Sequence, residues 1–353
     1  VYIPAVIADA IARGAAVAVS VSSGKDSQAM ERVLARLRCE QGWPGPFFGV
    51  HADVGSLFDW PWTLPIAERN ARAIGYPLHI VRRKDGRYLH GIVQHRVDVT
   101  SGSGKPPFPN MQCRFCTSDG KVGPIDVLLR RASQDLLICA VGLRAEESPG
   151  RAKQRAVTIR WDITTGKLKK LPREEQKKLT PEDALAMWQP GDGRLAFTWN
   201  PILDWDVHQV WQEIGTSQAE LDARRDLFNL GCYGMAFAGW PAAPTYVMGF
   251  SRHSCAICCF SRQDEIHLAA KYKPDLVSAI AAMEQESGFA WQQGKPVSAM
   301  LGIEQTPIPA EAYAIQPLPD NYHQTEAGKY ELPAFSLEAN ALALPDSLAL
   351  NLT

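Results

Sequence analysis

An α/β fold, with a parallel sheet flanked by helices, is what this sequence predicts, and three observations carry the prediction. Apolar, β-capable runs recur at 15–21, 47–50 and 78–81. The stretches between them space their apolar residues as helices do. The turn after the first run is made of small polar residues that free the backbone for a tight strand-to-helix transition. Strands alternating with helices in this way bury a parallel sheet between helical layers.

The elements follow in order. Strand 15–21 leads through the loop Ser22-Ser23-Gly24-Lys25-Asp26-Ser27 into a helix with Met30, Val33, Leu34 and Leu37 on one face. A second strand at 47–50, a helix between Trp62 and Ile74, and a third strand at 78–81 complete the first half. Residues 98–124, rich in Ser, Gly and Pro, predict a loop or inserted subdomain. A buried strand is expected at 135–141, ending at Gly142. From Arg144 to Lys178 basic residues outnumber acidic ones by eleven to five with little apolar periodicity, which predicts a mobile or partner-contacting excursion. Order returns at Asn200, before a helix with Val207, Val210, Trp211 and Ile214 on one face; Trp205 and Trp211 read as core. These features divide the chain into an α/β domain over 1–230, with insertions at 98–124 and 144–180, and a cysteine-cluster and helical region over 231–353. The tail beyond Pro333 is apolar but weakly patterned.

At 353 residues the chain suffices for one large domain with insertions or a domain with an appendage. Its 46% apolar and 21% charged residues are ordinary for a globular protein. The net charge of -1 excludes a wholly basic nucleic-acid binder, so any polyanion site is local. No apolar run reaches membrane-spanning length, and Val1-Tyr2-Ile3-Pro4 does not open a secretory signal, so the expectation is a cytoplasmic protein without a membrane partner.

The loop at 22–27 carries the first candidate site. A Ser/Gly turn between a buried strand and a helix aims free backbone N–H groups and the helix N-terminus at one point, which suits a phosphate. Lys25 adds a charge, Ser22 and Ser27 add hydroxyls, and Asp26 is placed to orient the loop or hold Mg²⁺ through water. The order of residues does not fit the ordinary P-loop. A plain turn with an N-capping Ser or Asp is the alternative. Asp53, after the second strand, stands where parallel sheets bind ligands. Arg144, directly after a strand, suits bidentate phosphate or sulfate recognition, and Arg151 follows as a second candidate.

Cysteines carry the second candidate site. Cys113-x-x-Cys116 and Cys255-x-x-Cys258 supply four thiolates, the number that closes a zinc site or a [4Fe–4S] cluster, though they lie about 140 residues apart. Four thiols without metal are the alternative. Cys39 and Cys139 read as core residues, and Cys232 has no assignment.

The loop resembles the S-G-G-x-D-S element of the adenine-nucleotide α-hydrolase (PP-loop) superfamily, which includes ATP pyrophosphatases and phosphoadenosine phosphosulfate (PAPS) reductases; Ser23 replaces a usual Gly. His51-Ala52-Asp53-Val54-Gly55 is similar to the V-D-T-G element of PAPS reductases. Gly142 to Ser148 with Arg151 resembles their G-x-R-x-x-E-S-x-x-R, and Asn200 to Trp211 their N-P-I-x-x-W-x-x-x-D-V-W. The resemblance covers residues 15–275 and implies a Rossmann-like fold that binds ATP or PAPS. Adenylylsulfate reductases of this group place an iron–sulfur cluster on two cysteine segments. Those segments correspond to Cys113–Pro124, with Lys121, and to Cys255 and Cys258. Here the first segment has C-x-x-C instead of adjacent cysteines and the second has an extra Cys259, so Cys258 and Cys259 compete as ligand.

The resemblance implies a choice of reaction. A reductase uses a cysteine in a C-terminal E-C-G-[LI]-H-like tail, and no cysteine follows Cys259 in these 353 residues, so Cys232 or Cys259 would have to substitute for it. The expectation is therefore ATP pyrophosphatase chemistry with Mg²⁺, with Lys25, Asp26 and Arg144 as catalytic residues. The ATPases of DNA phosphorothioation systems pair such a loop with a cluster, which implies sulfur transfer or nucleic-acid modification with a nucleic-acid or protein partner. Sulfonucleotide reduction and a non-catalytic nucleotide-sensing or nucleic-acid-binding subunit with a structural metal are the other readings.

Overall fold

The computed structural model describes residues 1–301 apart from Lys84; the predicted apolar tail beyond Pro333 lies outside the described residues. Six strands form its sheet: β1 (Ala16–Val21), β2 (Phe47–Ala52), β3 (Leu78–Val81), β4 (Leu136–Ala140), β5 (Val157–Ile159) and β6 (Leu195–Trp199). Their order is β3-β2-β1-β4-β6-β5, parallel throughout except for β5, which pairs antiparallel with β6.

Burial on both faces explains why the strands read as near-continuous apolar runs. Val17, Val19 and Val21 face Met30, Leu34 and Phe197. The alternate residues Ala16 and Ala18 join Phe48, Val50, Leu137 and Cys139 on the other face. The first helices are α1 (Ala5–Ala12), α2 (Lys25–Gln41), α3 (Thr63–Ile74) and α4 (Leu89–Thr100). Helices α2 and α3 end at Gly42 and Gly75, whose φ of 61° and 76° put them in the left-handed region that glycine enters without strain.

Chain order reverses between β1 and β4, since β2 and β3 lie to one side of β1 and β6 and β5 to the other side of β4. Such a reversal opens a crevice at the carboxyl ends of the two central strands. Close approach closes its floor. A Cβ on Gly142, just after β4, would stand 3.0 Å from the Asp26 carbonyl oxygen and 3.1 Å from the Ser27 Cα, so a side chain there would push the β4 loop and α2 apart by a few tenths of an ångström.

Several sequence expectations need correction. The basic stretch after Arg144 is a folded part of the domain: it forms turns at Ala145–Glu147 and Pro149–Ala152, strand β5, and helices Gly166–Lys169 and Arg173–Lys178. Three strand residues among charged neighbours are too few to show alternation, and the antiparallel pairing with β6 supplies the order. The inserted segment at 98–124 is largely helical at both ends, with α4 running to Thr100 and the chain coiling again from Phe115 through Arg131. Cys39 is exposed, while Cys139 is buried as expected. Trp211 is buried and Trp205 packs partly buried beside it. Beyond Asn200 the described chain is helical, including Val207–Ile214, Gln218–Asn229, Gln263–Ala270 and Pro274–Ser287. One apolar cluster joins Ala29, Trp62 and Val93 to Tyr246, Ile257 and Ile280, so the core runs across position 230 without a break. No described helix is long and apolar enough to cross a membrane.

Candidate functional site

The loop after β1 is built to present a helix N-terminus. Ser23 adopts φ 59°, a left-handed conformation that costs a side-chain-bearing residue about 1 kcal/mol, and its buried hydroxyl donates to the Thr63 carbonyl at 2.6 Å. That bond turns the side chain at the usual glycine position away from the loop opening. Ser27 Oγ donates to the Gly24 carbonyl (3.1 Å) and accepts from the Ser22 amide (3.2 Å) and the Ser22 hydroxyl (3.1 Å), closing the turn. Lys25 opens α2, and its amide donates to the Tyr246 hydroxyl at 2.9 Å. The amides of Asp26 and Ser27 find no protein acceptor among the described residues. They are the orphan donors that an anion at a helix N-terminus would take.

Charges behind the loop are answered inside the protein. The Asp26 carboxylate accepts from Lys25 Nζ at 3.0 Å and from Arg144 Nε at 2.6 Å. Arg144 also contacts Glu146 and donates to the Trp205 carbonyl at 3.4 Å. Lys25 further lies over the Tyr246 ring, 5.6 Å from its centroid. Asp53 accepts from the Gly55 amide (2.9 Å) and from Arg82 (2.7 Å), which makes it the corner of the β2 turn.

One cavity joins this loop to the cysteines. Ser22, Gly24, Asp26 and Ser27 line it at one end, and Cys116, Cys255, Cys258 and Cys259 at the other, with Arg114, Arg151 and Arg252 also on its wall. Of the residues singled out from sequence, Ser23, Lys25, Asp53, Arg144 and Cys113 are not on the lining. Cys113 is exposed in a turn whose amide donates to Asn110 Oδ1 at 2.9 Å.

The Cys259 thiol is within hydrogen-bonding reach of Cys116 and Cys258. Donation from Cys259 pulls Cys116 down to about 7 and Cys258 to about 6, while the proton it holds between them drives its own pKa up. Desolvation pushes Cys255 up to about 12. Lys121 is held in its ammonium form by Cys255, Asp59, Cys258 and Cys116. With Cys255 protonated, Asp59 and the two acidic thiols are its effective partners at neutral pH. Among the described residues, no three His, Cys, Asp or Glu side chains stand in metal-binding geometry. The donor chemistry nonetheless fits a thiophilic centre: four sulfurs on one wall, two of them readily ionised, beside a cation.

Arginine character was only partly legible from sequence. Arg151 is half-buried and ion-paired with Glu147. Its pKa is lowered by desolvation and by repulsion from Arg114, Arg252 and Arg144. Arg114 lies 5.0 Å over the Phe260 ring and Arg252 donates to the Phe260 carbonyl at 3.0 Å; neither has a carboxylate partner among the described residues.

His253 joins the two ends. Thr63 Oγ1 donates to Asp59 (2.7 Å) and so accepts from His253 Nε2 (3.0 Å), which leaves Nδ1 to accept from Thr245 Oγ1 (3.0 Å). Desolvation lowers this imidazole to about 4, consistent with a neutral ring that bridges two threonines. The family model described as the phosphoadenosine phosphosulfate reductase domain matches residues 16–233, more than half of the chain. No curated protein matches it.

Proposed function

The chain belongs to the phosphoadenosine phosphosulfate reductase domain family of the PP-loop superfamily, and from that premise we propose that it is an ATP-dependent adenylating enzyme working in sulfur transfer or nucleic-acid modification. The observation that carries the proposal is the single cavity lined by the loop at one end and by thiols and arginines at the other. ATP would place its phosphates on the Asp26 and Ser27 amides and the Ser22 hydroxyl. Two carboxylates line the cavity, Asp26 and Glu147; Glu147 is paired with Arg151, and Asp26, at the loop, is the residue to hold Mg²⁺ through water, with Lys25 and Arg144 fixing its orientation. An acceptor oxygen attacking the α-phosphorus would break the bond to the β-phosphate oxygen and release pyrophosphate, whose charge the loop amides stabilise, with Lys25 offsetting the Asp26 carboxylate beside it. Arg114 and Arg252 are placed to receive an anionic group of the acceptor.

Cys116, Cys255, Cys258 and Cys259 would hold a [4Fe–4S] cluster or zinc, in preference to a set that includes the exposed Cys113. Such a centre supplies a redox-capable or Lewis-acidic group beside the acceptor. The test is product analysis of the anaerobically purified protein. ATP, Mg²⁺ and candidate acceptors should give AMP and pyrophosphate; sulfite released from PAPS with a thiol donor would replace this reading by sulfonucleotide reduction.

A further inference from the structure

The Lys25 amide belongs to the first turn of α2, one of the donors an incoming phosphate would seek, yet the Tyr246 hydroxyl already accepts it at 2.9 Å. The same oxygen accepts the His253 amide at 3.3 Å, two residues before Cys255. Tyr246 is buried, its ring edge-on to Trp211 at 5.2 Å, and it lines the cavity between the loop and the cysteines. An anion seated on the free Asp26 and Ser27 amides adjoins Tyr246, which lines the same cavity and whose own phenol proton has no acceptor among the described residues; it can accept that proton or draw the Lys25 amide away. Either event changes what the hydroxyl offers to His253. Downstream of His253, the Ala256 amide is bound to the Phe58 carbonyl at 2.8 Å and the Ser261 amide closes on the Cys258 carbonyl at 2.9 Å, which ties the start of the cysteine turn to the segment after β2 and closes the turn on itself.

We infer that Tyr246 is a positioning residue through which occupation of the phosphate loop is transmitted to the Cys255–Cys259 turn, by the hydroxyl shared between the Lys25 and His253 amides. This rests on the nucleotide reading above. The linkage is reciprocal: whatever tightens the cysteine turn also strengthens nucleotide binding.

Peptide-level hydrogen exchange on the full chain as purified tests it. In the wild type, saturating ATP slows exchange both in 22–28 and in 251–261, the latter about fivefold or more, the lower end of ordinary coupling. Tyr246→Phe keeps the ring against Trp211 and removes only the shared oxygen. It should retain ATP protection at 22–28 and lose the response at 251–261. A purely structural role would instead raise exchange with and without ATP alike and leave their ratio intact, and that result overturns the proposal. So does a wild type protected at 22–28 with no change at 251–261. Absence of protection at 22–28 in the wild type removes the nucleotide reading and the proposal with it, a distinguishable failure. Should the variant fold poorly, the ¹⁵N amide resonance of His253 in the wild type decides: it shifts on ATP addition, and an unmoved resonance at saturation contradicts the inference.

Discussion

The loop end of the cavity neutralises its own charges, whereas the cysteine end holds two arginines, Arg114 and Arg252, with no carboxylate partner among the described residues. Lys25, Asp26 and Arg144 form a closed set with little exposure, bonded at 3.0 and 2.6 Å. Across the cavity Arg114 lies over the Phe260 ring and Arg252 donates to the Phe260 carbonyl and faces the Cys258 thiol. The difference separates two kinds of site. A self-paired set is a preorganised scaffold whose members are costly to remove singly, while unpaired exposed arginines stabilise little and are available to a ligand.

Asp26→Asn should break that comparison most severely. It leaves the poorly exposed Lys25 without a carboxylate and Arg144 with Glu146 alone, and removing one partner of a buried pair costs about 3–5 kcal/mol. Chemical denaturation should show a loss of that size together with loss of ATP turnover; a stability change below 1 kcal/mol would mean the pairing is loose.

A buried acid beneath the loop supplies the next largest effect. Glu31, one turn after Ser27 and bonded to the Tyr76 hydroxyl at 2.7 Å, is raised by desolvation to about 8. Its folded pKa exceeds the unfolded value of 4.5, so its contribution to stability is full below about pH 4.5 and is lost as pH rises through about 8. Glu31→Gln should remove this slope and gain roughly 4 kcal/mol at pH 8 relative to pH 4.5. Parallel slopes for both proteins would contradict it. His253 works in the opposite direction, since its pKa is depressed to about 4: stability present above about 6.5 falls as the solution is acidified toward 4.

At the cysteine end the effects are on ligands. Arg114→Gln combined with Arg252→Gln should weaken binding of inorganic sulfate about tenfold, read by calorimetry, with an unchanged melting temperature. Equal sulfate affinity would show that these arginines are merely solvated. Smaller still is the stability effect of Cys113→Ala, within about 0.5 kcal/mol as for an ordinary surface change. Metal analysis of anaerobically purified protein sharpens that contrast: Cys259→Ala should lose bound iron or zinc and Cys113→Ala should keep it, and the reverse pattern would restore Cys113 to the ligand set.

Legibility in the sequence followed the same division. Strands β1 to β4, helices α2 and α3 and the phosphate loop were readable because each is a contiguous run with its own periodicity and turn chemistry. Strand β6 was missed, since Leu195–Trp199 adjoins the turn residues at Asn200 and follows a Gly-rich stretch. The cysteine wall is legible in residue type but not in membership: spacing selects Cys113, while folding brings in Cys259. Tyr246 and Arg252 have no local pattern at all. Their roles exist only because packing brings 245–260 against the N-terminus of α2, and a single tyrosine or arginine says nothing of that in the linear chain.

The central claim is that the 22–27 loop seats nucleotide phosphate, and equilibrium binding of ATP by calorimetry tests it most directly. Wild type and Cys113→Ala should bind alike, and Lys25→Ala should bind at least about tenfold more weakly at unchanged fold, because the Asp26 carboxylate loses the ammonium that neutralises it beside the phosphates. Equal affinity of Lys25→Ala and wild type would contradict the account.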